Sequence, residues 1–210
     1  MNTICFTTSY KKILADIFTP VGIYLRLRDK FRDTILLEST DFHAGENSYS
    51  IIGINAIAGI EVINKQSVEY KFPAGKPQKL SLQNRDDLTM LLQQFTNSLQ
   101  PTAKPEPPVH IAQSLFGYTA YDAIPFFEQI NFNKKKLSNG DSSVPLMRYR
   151  LYQYVIIINH FKDEMFICEN HFEGLESRLA DVESLIKGKD VPVFPFALNG
   201  AEQNNMTDEA

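Results

Sequence analysis

An α+β fold, mainly an antiparallel β-sheet with helices packed on it, is the class this sequence predicts, and three observations carry the prediction. Met147 to Asn159, MRYRLYQYVIIIN, is long, aromatic and β-branched, and a second short apolar run, Met165 to Cys168, follows after a five-residue turn, which together read as a hairpin. Leu88, Leu91, Leu92, Phe95 and Leu99 recur at helical spacing and make one apolar stripe. Among the 210 residues, 43% are hydrophobic and 22% charged, the composition of an ordinary globular chain long enough to bury a good core.

Taken in order, Ser9 to Phe18 reads as a short helix stopped by Thr19-Pro20, and Val21 to Leu27 as an extended segment after it. Thr34 to Leu37 is a strand candidate, and Tyr49 to Ile60 is its neighbour across the Gly45-Glu46-Asn47 turn signal. Val68 to Phe72 alternates apolar and polar residues as a half-exposed strand at a sheet edge would, and Pro73 to Pro77 closes it in a loop. Asn84 is placed to cap the following helix, with Asp86 and Asp87 favourable to its N-terminal dipole. The prolines of Pro101 to Pro108 exclude a helix or an interior strand there, leaving a surface connection within one domain.

The last part of the hairpin strand is apolar on both faces, Val155 and Ile157 on one and Ile156 and Ile158 on the other, so it is expected to be central and covered on both sides. A final helix is expected from about Glu173 to Lys187, on the stripe Leu175, Leu179, Val182, Leu185 and Ile186, with Gly188 at the C′ position. Residues 1–188 are thus expected to form one domain. Residues 189–210 end in NGAEQNNMTDEA and read as a polar linker toward a further domain.

Several function classes find no support. The net charge of −4 is the wrong sign for an electrostatic footprint on nucleic acid, so the alternating Arg148, Tyr149, Arg150, Tyr152 and Tyr154 are better read as a strand than as a base-stacking platform. No run reaches the roughly 18 apolar residues that a membrane span needs. With only Cys5 and Cys168, widely separated, the chain has no disulfide framework, and a reducing, cytoplasmic setting is expected. Neither a phosphate-binding glycine loop nor a GxSxG elbow occurs. Asp41, His43 and Glu46 offer ligand atoms within six residues but are read as a solvated loop, and the isolated His110, His160 and His171 are given no role.

The candidate site lies at the end of the first strand, where the apolar run of Thr34 to Leu37 breaks into Glu38 and Ser39. A carboxylate there accepts charge-assisted hydrogen bonds from a ligand ammonium, and a hydroxyl both donates and accepts, the minimum needed to grip an amino-acid head group.

Thr19-Pro20-Val21, LLES at 36–39 followed by YSIIG at 49–53, and then the Gly117-Tyr118-Thr119-Ala120-Tyr121-Asp122 run with Phe126-Phe127-Glu128 occur in an order that resembles the amino-terminal region of anthranilate synthase component I, over roughly residues 10 to 160. The chain departs from that family at Pro125 and Ser48, where the family shows basic residues. The resemblance implies that Leu37, Glu38 and Ser39 help bind L-tryptophan as a feedback inhibitor, with Glu38 and Ser39 near its ammonium. It implies a full-length lyase of tryptophan biosynthesis that converts chorismate to anthranilate and pyruvate, with Mg²⁺ and a glutamine amidotransferase subunit as partner. Family members are much longer and carry chorismate and Mg²⁺ sites in their carboxyl-terminal half; nothing in this chain resembles those motifs, so no catalytic residue is assigned and the chain alone is expected to be inactive. A fragment of aminodeoxychorismate synthase component I, a relative of the same architecture, a stand-alone amino-acid-binding module, and a purely structural or interaction domain in which Glu38 and Ser39 only end a strand are the competing readings, with the intact LLES favouring the anthranilate enzyme over its relative.

Overall fold

The computed structural model describes residues 3–39, 48–130 and 144–189, with 197, 199 and 200. Strand β1 is Ile4–Leu14, helix α1 Pro20–Leu27, β2 Ile35–Glu38, β3 Tyr49–Asn64, β4 Ser67–Lys71, β5 Gln78–Ser81, α2 Arg85–Ser98, β6 Leu99–Pro101, β7 Phe116–Thr119, β8 Met147–Asn159, β9 Glu164–His171 and α3 Leu179–Lys187. Short 3₁₀ turns occupy Val109–Gln113 and Tyr121–Phe126. The fold is α+β: one large sheet in the order β5-β4-β3-β8-β9-β1-β6, with β2 also paired to β3 and β7 to β8, antiparallel except for the β1–β6 pair.

Strand β8 is the axis. It pairs with nearly the full length of β3 on one side, and on the other with β9 at its late end and β7 at its early end. Its run of Val155, Ile156, Ile157 and Ile158 is buried on both faces. Ile156 and Ile158 pack with Ile23 and Leu27 of α1 and Val182 and Ile186 of α3; Val155 and Ile157 pack with Val109 and Ala112 of the first 3₁₀ turn and Phe116 of β7. Each such aliphatic side chain contributes about 1.5–3 kcal/mol when fully buried. A third cluster covers the other end of the sheet, where Leu88, Leu91 and Phe95 of α2 lie on Ile60, Val62, Val68 and Leu151. There Phe72 stacks on Phe95 with ring centroids 5.1 Å apart.

Four expectations are corrected. Of the segment expected to be a helix from Ser9 to Phe18, Ser9 to Leu14 form the second half of β1, whose Thr7 to Leu14 pair with β9, and Ala15 to Phe18 are not helical; Ile4, Phe6, Thr7, Thr8, Tyr10 and Ile13 suit a pleated surface, and the long-range ladder overrides local helical spacing. Val21 to Leu27 is helical, not extended. Thr19 has extended backbone and accepts a hydrogen bond on Oγ1 from Gly22 N at 3.1 Å, and Pro20 occupies the first turn, so Thr-Pro starts a helix here and does not stop one. Helix α3 begins only at Leu179: Leu175 belongs to the α2 side of the core, and Gly188 closes the helix at φ −59°, outside the left-handed region. Finally, β4 is not the edge, because β5 pairs outside it.

Other expectations match in part: β5, β7 and the 3₁₀ turns carry no expectation from the sequence, and Leu99, counted in the α2 stripe, opens β6 instead. β2 and β3 are antiparallel neighbours, α2 starts after Asn84 with Asp87 accepting from Asn84 N and Gln83 N at 2.8 Å each, and β6 takes Pro101 at the end of the sheet order. Those backbone hydrogen bonds hold the Asp87 carboxyl below its ordinary range. The Gly45-Glu46-Asn47 turn and most of the expected linker at 189–210 lie outside the described residues.

Two features pin the early end of β8. A Cβ at Gly117 would stand 1.7 Å from the Arg148 carbonyl oxygen, so only glycine lets β7 lie this close to β8. Across the sheet, Glu61 accepts from Arg150 Nη2 at 2.6 Å and from Arg148 Nε at 3.0 Å. Burial alone would raise the Glu61 carboxyl, but the two guanidinium groups outweigh it and hold it below its ordinary value of 4.5.

Gly117→Ala is expected to force β7 away from β8 and cost about 1–3 kcal/mol in urea unfolding. Because the Glu61 pKa is depressed on folding, its stabilisation is present above about pH 4.5 and lost as pH falls through the folded value. Glu61→Gln should therefore show a shallower loss of stability on acidification below that pH than the parent, read from unfolding midpoints across an acid titration.

Candidate functional site

The register places the candidate residues at one corner of the sheet. Glu38 stands opposite Ser50, which stands opposite Ile158; Leu37 stands opposite Ile51 and Ile157. Ser39 continues the ladder through its N–H to Tyr49 O at 3.2 Å. Because side chains alternate along a strand, Glu38 shares a face with Leu36 and the α1/α3 side of the core, whereas Leu37 and Ser39 are directed to the opposite face. The three residues thus flank the strand end from both sides and do not line one wall. All three are exposed, and among the described residues neither the Glu38 carboxylate nor the Ser39 hydroxyl has a hydrogen-bond or ion-pair partner.

Behind them the corner is built from polar groups that sequence reasoning passed over. The Ser50 hydroxyl is buried and lies 2.7 Å from Nε2 of His160, and His160 N donates to Ser48 O at 3.0 Å. Asn159, also buried, accepts from Phe161 N and Lys162 N at 3.0 and 3.1 Å, which shapes the β8–β9 turn and so presents His160 toward Ser50. The available signal was register: once the two strands pair antiparallel, the residue after β8 falls beside the start of β3. Asp41, His43 and Glu46, which belong to the same connection, lie outside the described residues.

The second set of motif residues is elsewhere. Tyr118 of β7 pairs with Arg148, ten residues along β8 from Ile158 in the Glu38 row. At about 3.3 Å per residue that is roughly 33 Å, so the two motif groups do not converge on one site. Gly117 serves close strand packing, Thr119 Oγ1 lies 2.8 Å from the Tyr149 hydroxyl, and Tyr121 and Phe127 are exposed. His110 and His171 sit apart from the corner: His171 Nε2 lies 2.6 Å from Ser9 Oγ at the β1–β9 pairing. Burial pushes the Cys168 thiol up to about 12, and Cys5 is exposed.

Among the described residues no helix is long and apolar enough to cross a membrane, and no three His, Cys, Asp or Glu side chains converge where a metal ion could sit.

The architecture defines a mixed α+β protein organised on one mostly antiparallel sheet, with a polar corner at the β2–β3 end. Over nearly its whole length the chain resembles anthranilate synthase component I. It is 26% identical to that protein from Thermus thermophilus over 206 residues, 94% of this chain, and 26% identical to the one from Lactococcus lactis over 167 residues, 77% of this chain. It is 24% identical over 228 residues, 96% of this chain, to the chloroplastic anthranilate synthase alpha subunit 2 of Arabidopsis thaliana. The chain spans only 40%, 32% and 36% of these relatives. A solved structure of anthranilate synthase component I from Streptococcus pneumoniae superposes with a TM-score of 0.42 at 19% identity, covering 83% of this chain and 35% of that one, too little to transfer any detail of the site. No family model matches the chain.

Ser50→Ala removes a hydrogen bond from a buried position and is expected to cost about 0.5–1.5 kcal/mol in urea unfolding, since it leaves the His160 ring without its partner.

Proposed function

We propose that this chain is the amino-terminal, tryptophan-binding portion of an anthranilate synthase component I. The observation that carries the reading is the uncommitted pair Glu38 and Ser39 at a sheet corner, in a chain similar over almost all its length to curated members of that family. With no partner among the described residues, the Glu38 carboxylate offers its full hydrogen-bonding capacity to an ammonium, and Ser39, on the other face at the strand end, offers a hydroxyl to a ligand that reaches around that end. Leu37, 38% exposed, supplies apolar surface beside them.

The reaction of the whole enzyme, chorismate with glutamine or ammonia giving anthranilate and pyruvate, would use residues outside this chain, as would its amidotransferase subunit. Mg²⁺ would likewise be bound by residues outside this chain. What this chain contributes is control. Tryptophan held at the β2 corner stabilises one arrangement of the enzyme over another, and inhibition follows from the difference in affinity between the two states.

The chain contains no tryptophan, so the indole of an added ligand is the only one in solution. Fluorescence anisotropy of L-tryptophan titrated with the chain should rise saturably, with weak affinity on the order of 1 mM. Ser39→Phe and Glu38→Gln should each diminish the rise. An anisotropy that stays at the free-ligand value, or a rise that neither substitution alters, contradicts the assignment.

A further inference from the structure

A polar cavity lies on the far side of β2 from the corner, and the tryptophan reading does not use it. β2 and β4 flank the same edge of β3 but do not meet: β2 pairs as far as Gly53 and β4 begins at Gly59. Between those glycines the β3 backbone has no strand on this edge among the described residues. The gap coincides with the one irregularity of the β3–β8 ladder, between Ala56 and Ala58, and with Asn55, whose φ of 58° lies in the left-handed region. Asn55 is held there by donation from Nδ2 to Gln153 Oε1 at 2.6 Å. The result is a notch of about 190 Å³ cut into the sheet, with Ala56 to Gly59 as its floor.

Charges of both signs line it, and most are already consumed. Glu61 is taken by Arg150 and Arg148, and Glu69 Oε2 faces Lys79 Nζ at 3.6 Å. Asp33, where the chain enters β2, and Lys71, where it leaves β4, make no ion pair or hydrogen bond among the described residues and both line the notch, although Asp33 lies near enough to Arg148 to raise its pKa. Arg150 lies across Gly59, where a Cβ would stand 2.6 Å from Arg150 Cδ, so glycine admits the guanidinium to the cavity.

We propose that this notch binds a small α-amino acid, its carboxylate on Lys71, its ammonium on Asp33, and its remaining polar groups on the β3 backbone that no strand pairs on this edge among the described residues. Size sets the class. At roughly 30 Å³ per water the cavity holds about six waters. That is the size class of a small amino acid, and the notch lies apart from the β2 corner, so it stands whether or not tryptophan binds there.

The test uses L-alanine as probe, with propionate and ethylamine as controls that carry one charge each, followed by amide chemical shifts of the whole chain. Alanine should shift the Ala58 and Gly59 amides saturably with a Kd of about 1 mM, and neither control should reproduce the effect. Lys71→Met and Asp33→Asn, both at solvent-facing positions, should each weaken alanine binding about tenfold or more while leaving the unfolding midpoint unchanged. Tryptophan should leave these two amides in place. No saturable shift with alanine, an equal response to propionate alone, or undiminished binding in both variants overturns the proposal.

Discussion

The double-sided burial of β8 is the constraint on which the rest of the structure depends. A strand apolar on both faces must be covered on both, and here α1 and α3 cover one side while the first 3₁₀ turn and Phe116 cover the other. A one-residue slip of β3 against β8 would exchange the sets that meet each cover, so the register is strongly specified. With that register fixed, Ser50 must fall beside Ile158, Glu38 beside Ser50, and Gly117 beside Tyr149 at the opposite end. The corner and the notch are both consequences of how the flanking strands terminate against this one long pair.

Buried polar groups secure the sheet where hydrophobic packing alone does not define it. Asn170 is fully buried and donates from Nδ2 to the carbonyls of Ala112 and Tyr152 at 2.8 Å each, while accepting from Thr8 Oγ1 at 2.7 Å; β1, β8, β9 and the first 3₁₀ turn are tied through a single side chain. Glu169, 1% exposed, accepts from Ser177 Oγ at 2.7 Å and Gln153 Nε2 at 3.3 Å, and Gln153 reaches on to Glu176 O and to Asn55. That chain links the start of α3 to the bulge of β3. A buried polar network of this kind specifies one arrangement because each member left unpaired would cost on the order of 1–3 kcal/mol.

What could be read in the sequence depended on how local the cause was. The β8 strand and the α2 stripe are dictated by residues within the element itself, and both appear where the pattern placed them except for Leu99, which opens β6. β1 was misread because its identity comes from β9, more than 150 residues away, and its own spacing is compatible with a helix. Thr19-Pro20 was misread because Pro is as suited to the first turn of a helix as to ending one, and only the Gly22 N–H bond to Thr19 distinguishes the two. Leu37, Glu38 and Ser39 were legible as a change from apolar to polar, but their alternation onto two faces was not drawn from it, and His160 could be joined to Ser50 only once the register was known.

Glu38 and Ser39 have no side-chain partner among the described residues and lie roughly 33 Å from the other motif residues. Mapping amide chemical shifts of the chain on addition of L-tryptophan addresses that claim most directly. The account requires the changes to centre on Leu37, Glu38, Ser39, Ser50 and His160 and to leave Phe116 to Asp122 unmoved; changes centred on the β7 end, or none anywhere, would contradict it.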